Sequence, residues 1–118
     1  MDKQRRDAIA AIERTIEASK ALRANLRTGE VIGQKMIREL QGSTPIYETV
    51  TATGSVPADL RQTTNDLLDN FEHCRHRMRL AFIGPSLTDG VTIGQIGRDL
   101  GISRQLATRL AREARTAS

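Results

Sequence analysis

Apolar side chains recur at helical intervals along most of this chain, and the first such stretch covers residues 3–27. Its apolar positions fall near heptad spacing among mixed charges: Ile9, Ile12, Ile16 and Leu26, with Ala8, Ala11 and Leu22 beside them. Residues three and four apart share one face of a helix, so the pattern predicts an amphipathic helix of about six or seven turns in a bundle. The interspersed acidic residues and the narrow, alanine-rich apolar side argue against a helix that lies on a membrane.

The same character continues after Thr28 and Gly29, where a helix can stop or kink. A second helix is predicted over residues 30–41, with an apolar stripe made of Val31, Ile32, Met36, Ile37 and Leu40. Gly29 either ends the first helix or interrupts a longer one. Both versions place the apolar faces in one core.

Residues 43–56 differ in composition, because they are rich in threonine and β-branched side chains and are bounded by Pro45 and Pro57. We predict a loop or an extended arm here. Fourteen residues without a helix are long for a compact domain, and such segments are often functional. The segment is either a plain connection between antiparallel helices, or an arm that exchanges with a partner subunit or takes a regulatory phosphate.

Residues 57–83 contain an unbroken heptad seam. The seam consists of Leu60, Thr64, Leu67, Phe71, Cys74, Met78 and Ala81. Pro57 suits the first turn of a helix, and Gly84 with Pro85 is predicted to end it. A helix of about 27 residues spans roughly 40 Å and needs a partner of similar length, which residues 3–27 of the same chain or of a second copy can supply. We therefore expect a bundle or an antiparallel coiled coil, and a homodimer through the long helices.

Residues 92–114 have the pattern of two short helices separated by a tight turn. Thr92 precedes Gln95 by three residues, the spacing of a capping box at a helix start. The first helix is predicted over residues 93–100, with Gly97 on its apolar face where a crossing helix can come close. Gly101 suits a positive φ at the helix end, and Ser103 suits the cap of the next helix.

The second of these helices has an apolar side and a polar side. The apolar side consists of Leu106, Ala107, Leu110, Ala111 and Ala114, and the polar side of Arg104, Gln105, Thr108, Arg109, Arg112 and Arg115. We expect the apolar side to pack on Ile93 and Ile96 and on residues 71–83 of the long helix. These elements would form a three-helix unit.

A resemblance to a known family rests on Gly97, Leu100, Gly101, Ile102, Ala107 and Leu110. Over about 23 of the 118 residues, the chain resembles the helix-turn-helix of small bacterial DNA-binding proteins of the homeodomain-like and sigma-region-4-like kind. Too few residues follow Ala114 for a β-wing, so we expect a wingless unit. The resemblance implies an all-α fold and sequence-preferring binding of double-stranded DNA by a transcriptional regulator that acts as a homodimer.

The family's docking mode places the second helix in the major groove. The corresponding candidates for reading base edges are Arg104, Gln105, Thr108 and Arg109. Arginine can present its guanidinium to guanine, glutamine can bridge adenine, and the threonine methyl can contact thymine. The candidates for phosphate contacts, which position the protein without specifying sequence, are Gln95, Arg98, Ser103, Arg112 and Arg115.

The charge distribution supports the same end of the chain. Residues 1–70 contain ten basic and ten acidic side chains, whereas residues 71–118 contain eight basic and four acidic ones, so the whole net charge of +4 lies in the second part. A localised basic surface is expected of a protein that binds phosphates. We therefore divide the chain into a helical dimerisation region, 1–70, and a DNA-binding unit, 71–118, which share the helix 57–83.

Other chemistry has little support. The single Cys74 allows no intrachain disulfide, and no signal peptide or spanning apolar run is evident, so we expect a cytoplasmic protein that is associated with the nucleoid when bound. His73 and His76 invite a metal site, but nearby arginines repel a cation and too few ligands converge unless a second copy supplies them. We expect no metal, no cofactor and no enzymatic activity.

Two other functions fit the same sequence. The long helices can serve a protein-interaction module, for example one that binds the transcription machinery, in which the short helices only pack. Alternatively, the protein is an architectural or recombination accessory factor that binds DNA with little sequence preference. Binding to random and selected duplexes distinguishes these alternatives from a sequence-preferring regulator.

Overall fold

The computed structural model describes the backbone of residues 1–51 and 56–116, and the side chains of these residues apart from 56 and 57. Within these ranges the secondary structure is entirely α-helical and contains no strand. The helices are α1 (Lys3–Gln41), α2 (Ile46–Thr51), α3 (Val56–Thr88), α4 (Ile93–Leu100) and α5 (Arg104–Thr116). The predicted all-α class is confirmed.

Helix α1 runs unbroken through Gly29. Of the two alternatives for this glycine, an end of the first helix is therefore wrong, and residues 30–41 continue α1. A glycine in a helix interior costs roughly 0.5–1 kcal/mol relative to alanine. A Cβ atom added at Gly29 would lie 3.9 Å from the Leu60 side chain of α3, an ordinary van der Waals distance, so Gly29 lies where α1 contacts α3. Gly29 therefore lies at a contact between two helices and does not end one.

The chain forms two compact units, one of residues Glu17–Phe71 and the other of Met1–Ile16 together with the chain from Glu72 onward. In the first unit the Asn25 amide donates a hydrogen bond to the Thr64 hydroxyl, and Gly29 lies against Leu60. From Asn25 to Gly29 the residue number on α1 rises by four, while from Thr64 to Leu60 the number of the contacting residue on α3 falls by four. The two segments are therefore antiparallel. In the second unit the Thr15 hydroxyl donates to the Cys74 carbonyl oxygen at 3.2 Å. The partner of α3 is therefore the α1 helix of the same chain.

The side of α1 that faces α3 differs from the predicted stripe. Ile9, Ile16 and Leu26 remain 41–47% exposed, whereas Ala11 and Ala18 are buried. The protected positions follow a heptad of mostly small or polar residues: Ala8, Ala11, Thr15, Ala18, Leu22, Asn25 and Gly29. Small side chains let two helices approach closely, and the most buried positions of α1 are accordingly Ala11 and Ala18. The large side chains of Ile12, Leu22, Ile32 and Met36 are partly buried. The predicted seam of α3 is confirmed, since its members from Leu60 to Ala81 are the partly buried side of that helix.

The predicted loop at residues 43–56 is wrong over residues 46–51, which form α2. The helix starts beside Pro45, whose carbonyl oxygen accepts hydrogen bonds from the Thr49 amide at 3.0 Å and the Thr49 hydroxyl at 3.2 Å. Thr49 is fully buried, which anchors this short helix. Residues 52–55 of the predicted arm lie outside the described residues. Val56, its last residue, begins α3.

The predicted end of α3 at Gly84 and Pro85 is also wrong, because the helix continues to Thr88 with Pro85 inside it. Ile83 is only 1% exposed, and Leu80 and Leu87 pack against the same core on either side of the proline. Apolar burial on both sides of Pro85 compensates for the missing amide. Gly90, with φ of 91°, follows the helix end at Thr88. Its amide donates to the Leu87 carbonyl oxygen, and the Val91 amide donates to the Ser86 carbonyl oxygen. This pair of hydrogen bonds is a Schellman cap.

Candidate nucleic-acid interface

Helix α4 begins at Ile93 and ends at Leu100, as predicted. The Thr92 hydroxyl oxygen accepts a hydrogen bond from the Gln95 amide at 3.1 Å, so half of the predicted capping box is present. The Gln95 side chain does not return to Thr92. Its amide nitrogen donates instead to the Asp99 carboxylate at 2.7 Å. The start of α4 is therefore held by the threonine alone.

The turn between α4 and α5 consists of Gly101, Ile102 and Ser103. Gly101 has φ of 66°, a left-handed conformation that favours glycine. The Gly101 amide bonds to the Arg98 carbonyl at 3.3 Å and the Ile102 amide to the Gly97 carbonyl at 3.0 Å, a second Schellman cap. The Ser103 hydroxyl oxygen accepts from the Leu106 amide at 3.1 Å. The predicted roles of Gly101 and Ser103 in the turn are confirmed.

Gly97 is buried where α5 comes closest to α4. A Cβ atom added there would lie 3.4 Å from the Ile102 carbonyl oxygen and 3.6 Å from the Ala107 Cβ atom. A side chain larger than a methyl group would push the turn and α5 away. The pairing of Gly97 with Ala107 therefore fixes the distance between the two helices.

One apolar core joins α3, α4 and α5. Its buried members are Ile83, Ile96, Leu110, Ala111 and Ala114, and the partly buried residues packed around them are Leu80, Leu87, Ile93, Ile102 and Leu106. Burying a leucine or isoleucine side chain stabilises a fold by about 1.5–3 kcal/mol. The predicted packing of the long helix on α4 and α5 is confirmed, with α3 contributing Ile83 at the centre.

The opposite face of α5 is polar and exposed. All six side chains predicted for it are exposed: Arg104, Gln105, Thr108, Arg109, Arg112 and Arg115. Within the described part of the chain, the guanidinium groups of Arg104, Arg109 and Arg112 have no hydrogen-bond or ion-pair partner. The Thr108 hydroxyl donates to the Arg104 carbonyl at 2.8 Å. Because the hydroxyl is used locally, the methyl group is the part of Thr108 that remains for apolar contact.

The remaining candidates for phosphate contacts lie on α4 and the turn. Gln95, Arg98 and Ser103 are exposed, but each takes part in a local hydrogen bond. The Arg98 guanidinium donates to the Gln95 side-chain oxygen at 2.9 Å and lies 3.6 Å from the Cβ position of Gly94. Arg98 is therefore folded back along α4, and it would have to rotate outward to reach a ligand.

One contact at the edge of this surface escaped the sequence reasoning. The His76 ring on α3 lies 2.6 Å from the carboxylate of Glu113 on α5, measured between Nε2 and Oε2. Glu113 is the one acidic residue of α5, and the contact places its carboxylate beside α3. No local motif links two residues 37 positions apart. The one sequence signal for this contact is Glu113 itself, a single acidic residue in an arginine-rich helix.

The cluster around His73 was considered for metal binding from the sequence. Glu72 forms an ion pair with Arg75 at 2.8 Å, and His76 is in contact with Glu113. Cys74 lies half-buried on the α3 seam. Among the residues that the structure describes, no group of three or more His, Cys, Asp or Glu side chains is arranged to hold a metal ion.

In residues 1–51 and 56–116, no helix combines the length and apolar character needed to cross a membrane. Comparison with protein-family models, with curated proteins and with solved structures gives no match to this chain.

Proposed function

We propose that this protein binds double-stranded DNA with a preference for sequence, as a transcriptional regulator, and that α4 and α5 form a wingless helix-turn-helix. The observation that supports this most strongly is the face of α5, where four arginines are exposed beside Gln105 and Thr108. Three of them, Arg104, Arg109 and Arg112, have no partner among the described residues, and exposed guanidinium groups on one helix face are suited to a polyanion. Glu113, the only carboxylate of α5, lies against His76 at the edge of that face.

The proposed recognition mode places α5 in the major groove, about 12 Å wide in B-DNA, which admits a helix. Arg104, Gln105, Thr108 and Arg109 then face base edges. Arginine can form two hydrogen bonds with guanine and glutamine two with adenine, while the Thr108 methyl group can contact thymine. The free side chains of Arg104 and Arg109 can take these positions without breaking a contact within the protein.

Phosphate contacts are assigned to five residues on either side of the reading positions: Gln95, Arg98, Ser103, Arg112 and Arg115. Arg112 is exposed and without a partner among the described residues, so it can bind a phosphate directly. Ser103 keeps its oxygen as a cap acceptor while its hydroxyl hydrogen stays available. For Arg98 the cost is a rotation away from Gln95, which phosphate binding would offset.

The proposal includes a homodimer that presents two copies of α5 to neighbouring half-sites, since readers of this kind bind half-sites about one DNA turn apart. Such a protein would act in the cytoplasm, on the nucleoid. It requires no metal, cofactor or catalytic step.

Selection of bound duplexes from a random library tests the proposal. We expect enrichment of a short motif, and loss of discrimination at one or two positions in Arg104→Ala and in Arg109→Ala. Arg61→Ala is the matched control, because it removes the same charge from an exposed position on α3 in the other compact unit. Circular dichroism checks that each variant remains folded.

The outcomes distinguish the alternatives. Equal affinity for all sequences would favour an architectural or recombination accessory protein. Absence of binding even at low salt would favour a protein-interaction module. If Arg104→Ala and Arg109→Ala both select the wild-type motif, the reading face is not the one assigned here.

A further inference from the structure

Glu113 is electrostatically out of place on α5. It is the one acidic side chain of a helix that contains four arginines, and it lies in the last turn, where the partial negative charge of the helix end disfavours a carboxylate. Residues four apart are neighbours on a helix surface, so Arg109 lies next to Glu113 at the edge of the polar face. A carboxylate in this position is expected to form an ion pair with that arginine.

The structure shows a different partner for this carboxylate. Glu113 Oε2 lies 2.6 Å from His76 Nε2 on α3, and in the part of the chain that the structure describes Glu113 pairs with neither Arg109 nor Arg112. An ionised carboxylate only accepts hydrogen bonds, so the Nε2–H group of the histidine donates. The contact turns the carboxylate toward α3, and the Arg109 guanidinium group is left available on the polar face.

The packing of α3 on α5 brings the two side chains together. Leu80, one turn after His76, and Leu110, one turn before Glu113, pack in the same apolar core. All four residues belong to one compact unit. The His76 side chain is 40% exposed and that of Glu113 is 52% exposed, so the pair lies at the rim of the core. Apolar packing therefore holds the histidine and the carboxylate within reach of each other at the surface.

We propose that His76 is a positioning residue for the DNA-binding face, because it holds the Glu113 carboxylate against α3 and so keeps Arg109 available to DNA. This inference rests on the proposed function. Without the histidine, the carboxylate is free to turn back along α5 and to compete with DNA for the Arg109 guanidinium group. An unpaired negative charge at the edge of the face also repels phosphates. His76 thus acts on DNA binding through Glu113 and does not contact DNA itself.

A double-mutant cycle on the affinity for duplex DNA tests this role in the full-length chain. We expect His76→Ala to weaken binding about threefold or more, the effect of a competing exposed ion pair. In a Glu113→Gln background, His76→Ala should change the affinity by less than about twofold, because glutamine keeps the shape of the side chain without its charge. His73→Ala is the matched control, since it removes the same ring from an exposed position one turn earlier on α3 and should leave the affinity unchanged.

Two outcomes of the cycle would overturn the proposal. Equal affinity of His76→Ala and the wild type would show that Arg109 needs no protection from the carboxylate. An equal loss in both backgrounds would show that the histidine contacts DNA directly or only supports the fold. Circular dichroism checks that each variant remains folded.

Sequence discrimination adds a readout that a general loss of structure would not produce. Selection of duplexes by His76→Ala should relax the preference at the base positions that Arg109→Ala relaxes. The preference that depends on Arg104, at the other end of α5, should persist. Equal relaxation at both sets of positions would contradict an effect that acts through Glu113.

Nuclear Overhauser contacts test the pair without DNA. We expect a contact between the His76 ring protons and the Glu113 γ protons in the full-length wild-type chain, and none between His73 and Glu113. Absence of the first contact would overturn the inference even in a chain that binds DNA. If the contact is present and the wild-type chain binds no DNA, the proposed function fails instead, and the pair only joins α3 to α5.

Discussion

Gly97 is the residue on which the spacing of α4 and α5 depends most. Alanine at this position would place its methyl group 3.4 Å from the Ile102 carbonyl oxygen, a tight but nearly ordinary contact. Valine would add two methyl groups where no space exists, and overpacking of this kind costs about 1–3 kcal/mol. We therefore expect Gly97→Val to lower the free energy of unfolding by that amount in urea denaturation. Gly97→Ala, in contrast, should change it by less than about 1 kcal/mol, because better helix propensity offsets the tight contact.

If Gly97→Val unfolds at the same urea concentration as the wild type, α4 and α5 do not pack at this glycine. Gly94→Ala is the control for propensity, since its nearest neighbour is the flexible end of Arg98 at 3.6 Å.

Ser103 combines a structural role with a proposed contact to DNA, and two substitutions separate them. Ser103→Ala removes the cap acceptor of α5 and should lower the free energy of unfolding by roughly 0.5–2 kcal/mol. Ser103→Asp keeps an acceptor for the Leu106 amide but adds a negative charge beside the proposed phosphate position. We expect Ser103→Asp to retain near wild-type stability and to bind duplex DNA at least tenfold more weakly. Equal DNA affinity of Ser103→Asp and wild type would remove Ser103 from the interface.

At the scale of elements, the end of α3 belongs to the same folding unit as α4 and α5. Ile83→Ala should lower the free energy of unfolding by about 2–5 kcal/mol, because it leaves a cavity in the shared core. The neighbouring Phe82 is 40% exposed, so Phe82→Ala should cost far less, although it removes a larger side chain. Urea denaturation of both variants checks the difference. A larger loss in Phe82→Ala would place the wrong face of α3 against the core.

Pro85 gives a second test at this scale. A proline in a helix interior costs about 3 kcal/mol relative to alanine, and here it lies three residues before the true end of α3. We expect Pro85→Ala to stabilise the chain by up to about 3 kcal/mol and to slow amide hydrogen exchange between residues 82 and 88. Faster exchange in this segment would show that the proline supports the helix end.

A helix boundary can be predicted from sequence when neighbouring residues determine it, and not when distant residues do. The local signals of α4 and α5 were sufficient, because Thr92, Gly101 and Ser103 act through hydrogen bonds to their own neighbours. The end of α3, in contrast, depends on distant partners. Ile83 is held by residues of α4 and α5, and this contact maintains helix across Gly84 and Pro85 against their local preference.

The faces of α1 were misassigned for a related reason. Large apolar residues indicate the buried side of a helix, but the most buried positions of α1 are Ala11 and Ala18, while Ile12 and Leu22 are only partly buried. Periodicity alone does not reveal which of two heptad stripes on one helix meets a given partner. The contact of His76 with Glu113 was equally invisible, because it depends on how α3 and α5 pack.

At the scale of the whole molecule, the chain divides its charge unevenly. The first 70 residues are neutral, and the +4 excess lies with α4, α5 and the end of α3. The arginine face of α5 lies within this basic part of the chain, which agrees with the proposed binding of DNA there.

The most direct test of the central claim is the salt dependence of binding to duplex DNA. Each phosphate contact makes the slope of log affinity against log salt concentration more negative by about 0.9. We predict tight binding at low salt with a steep negative slope. In Arg112→Ala the slope should be less steep by about 0.9 for each bound copy of the protein, because one phosphate contact per copy is lost. In Arg61→Ala the slope should be unchanged. An absence of binding at low salt, or equal slopes for wild type and Arg112→Ala, would contradict the assignment of α5 as the surface that binds DNA.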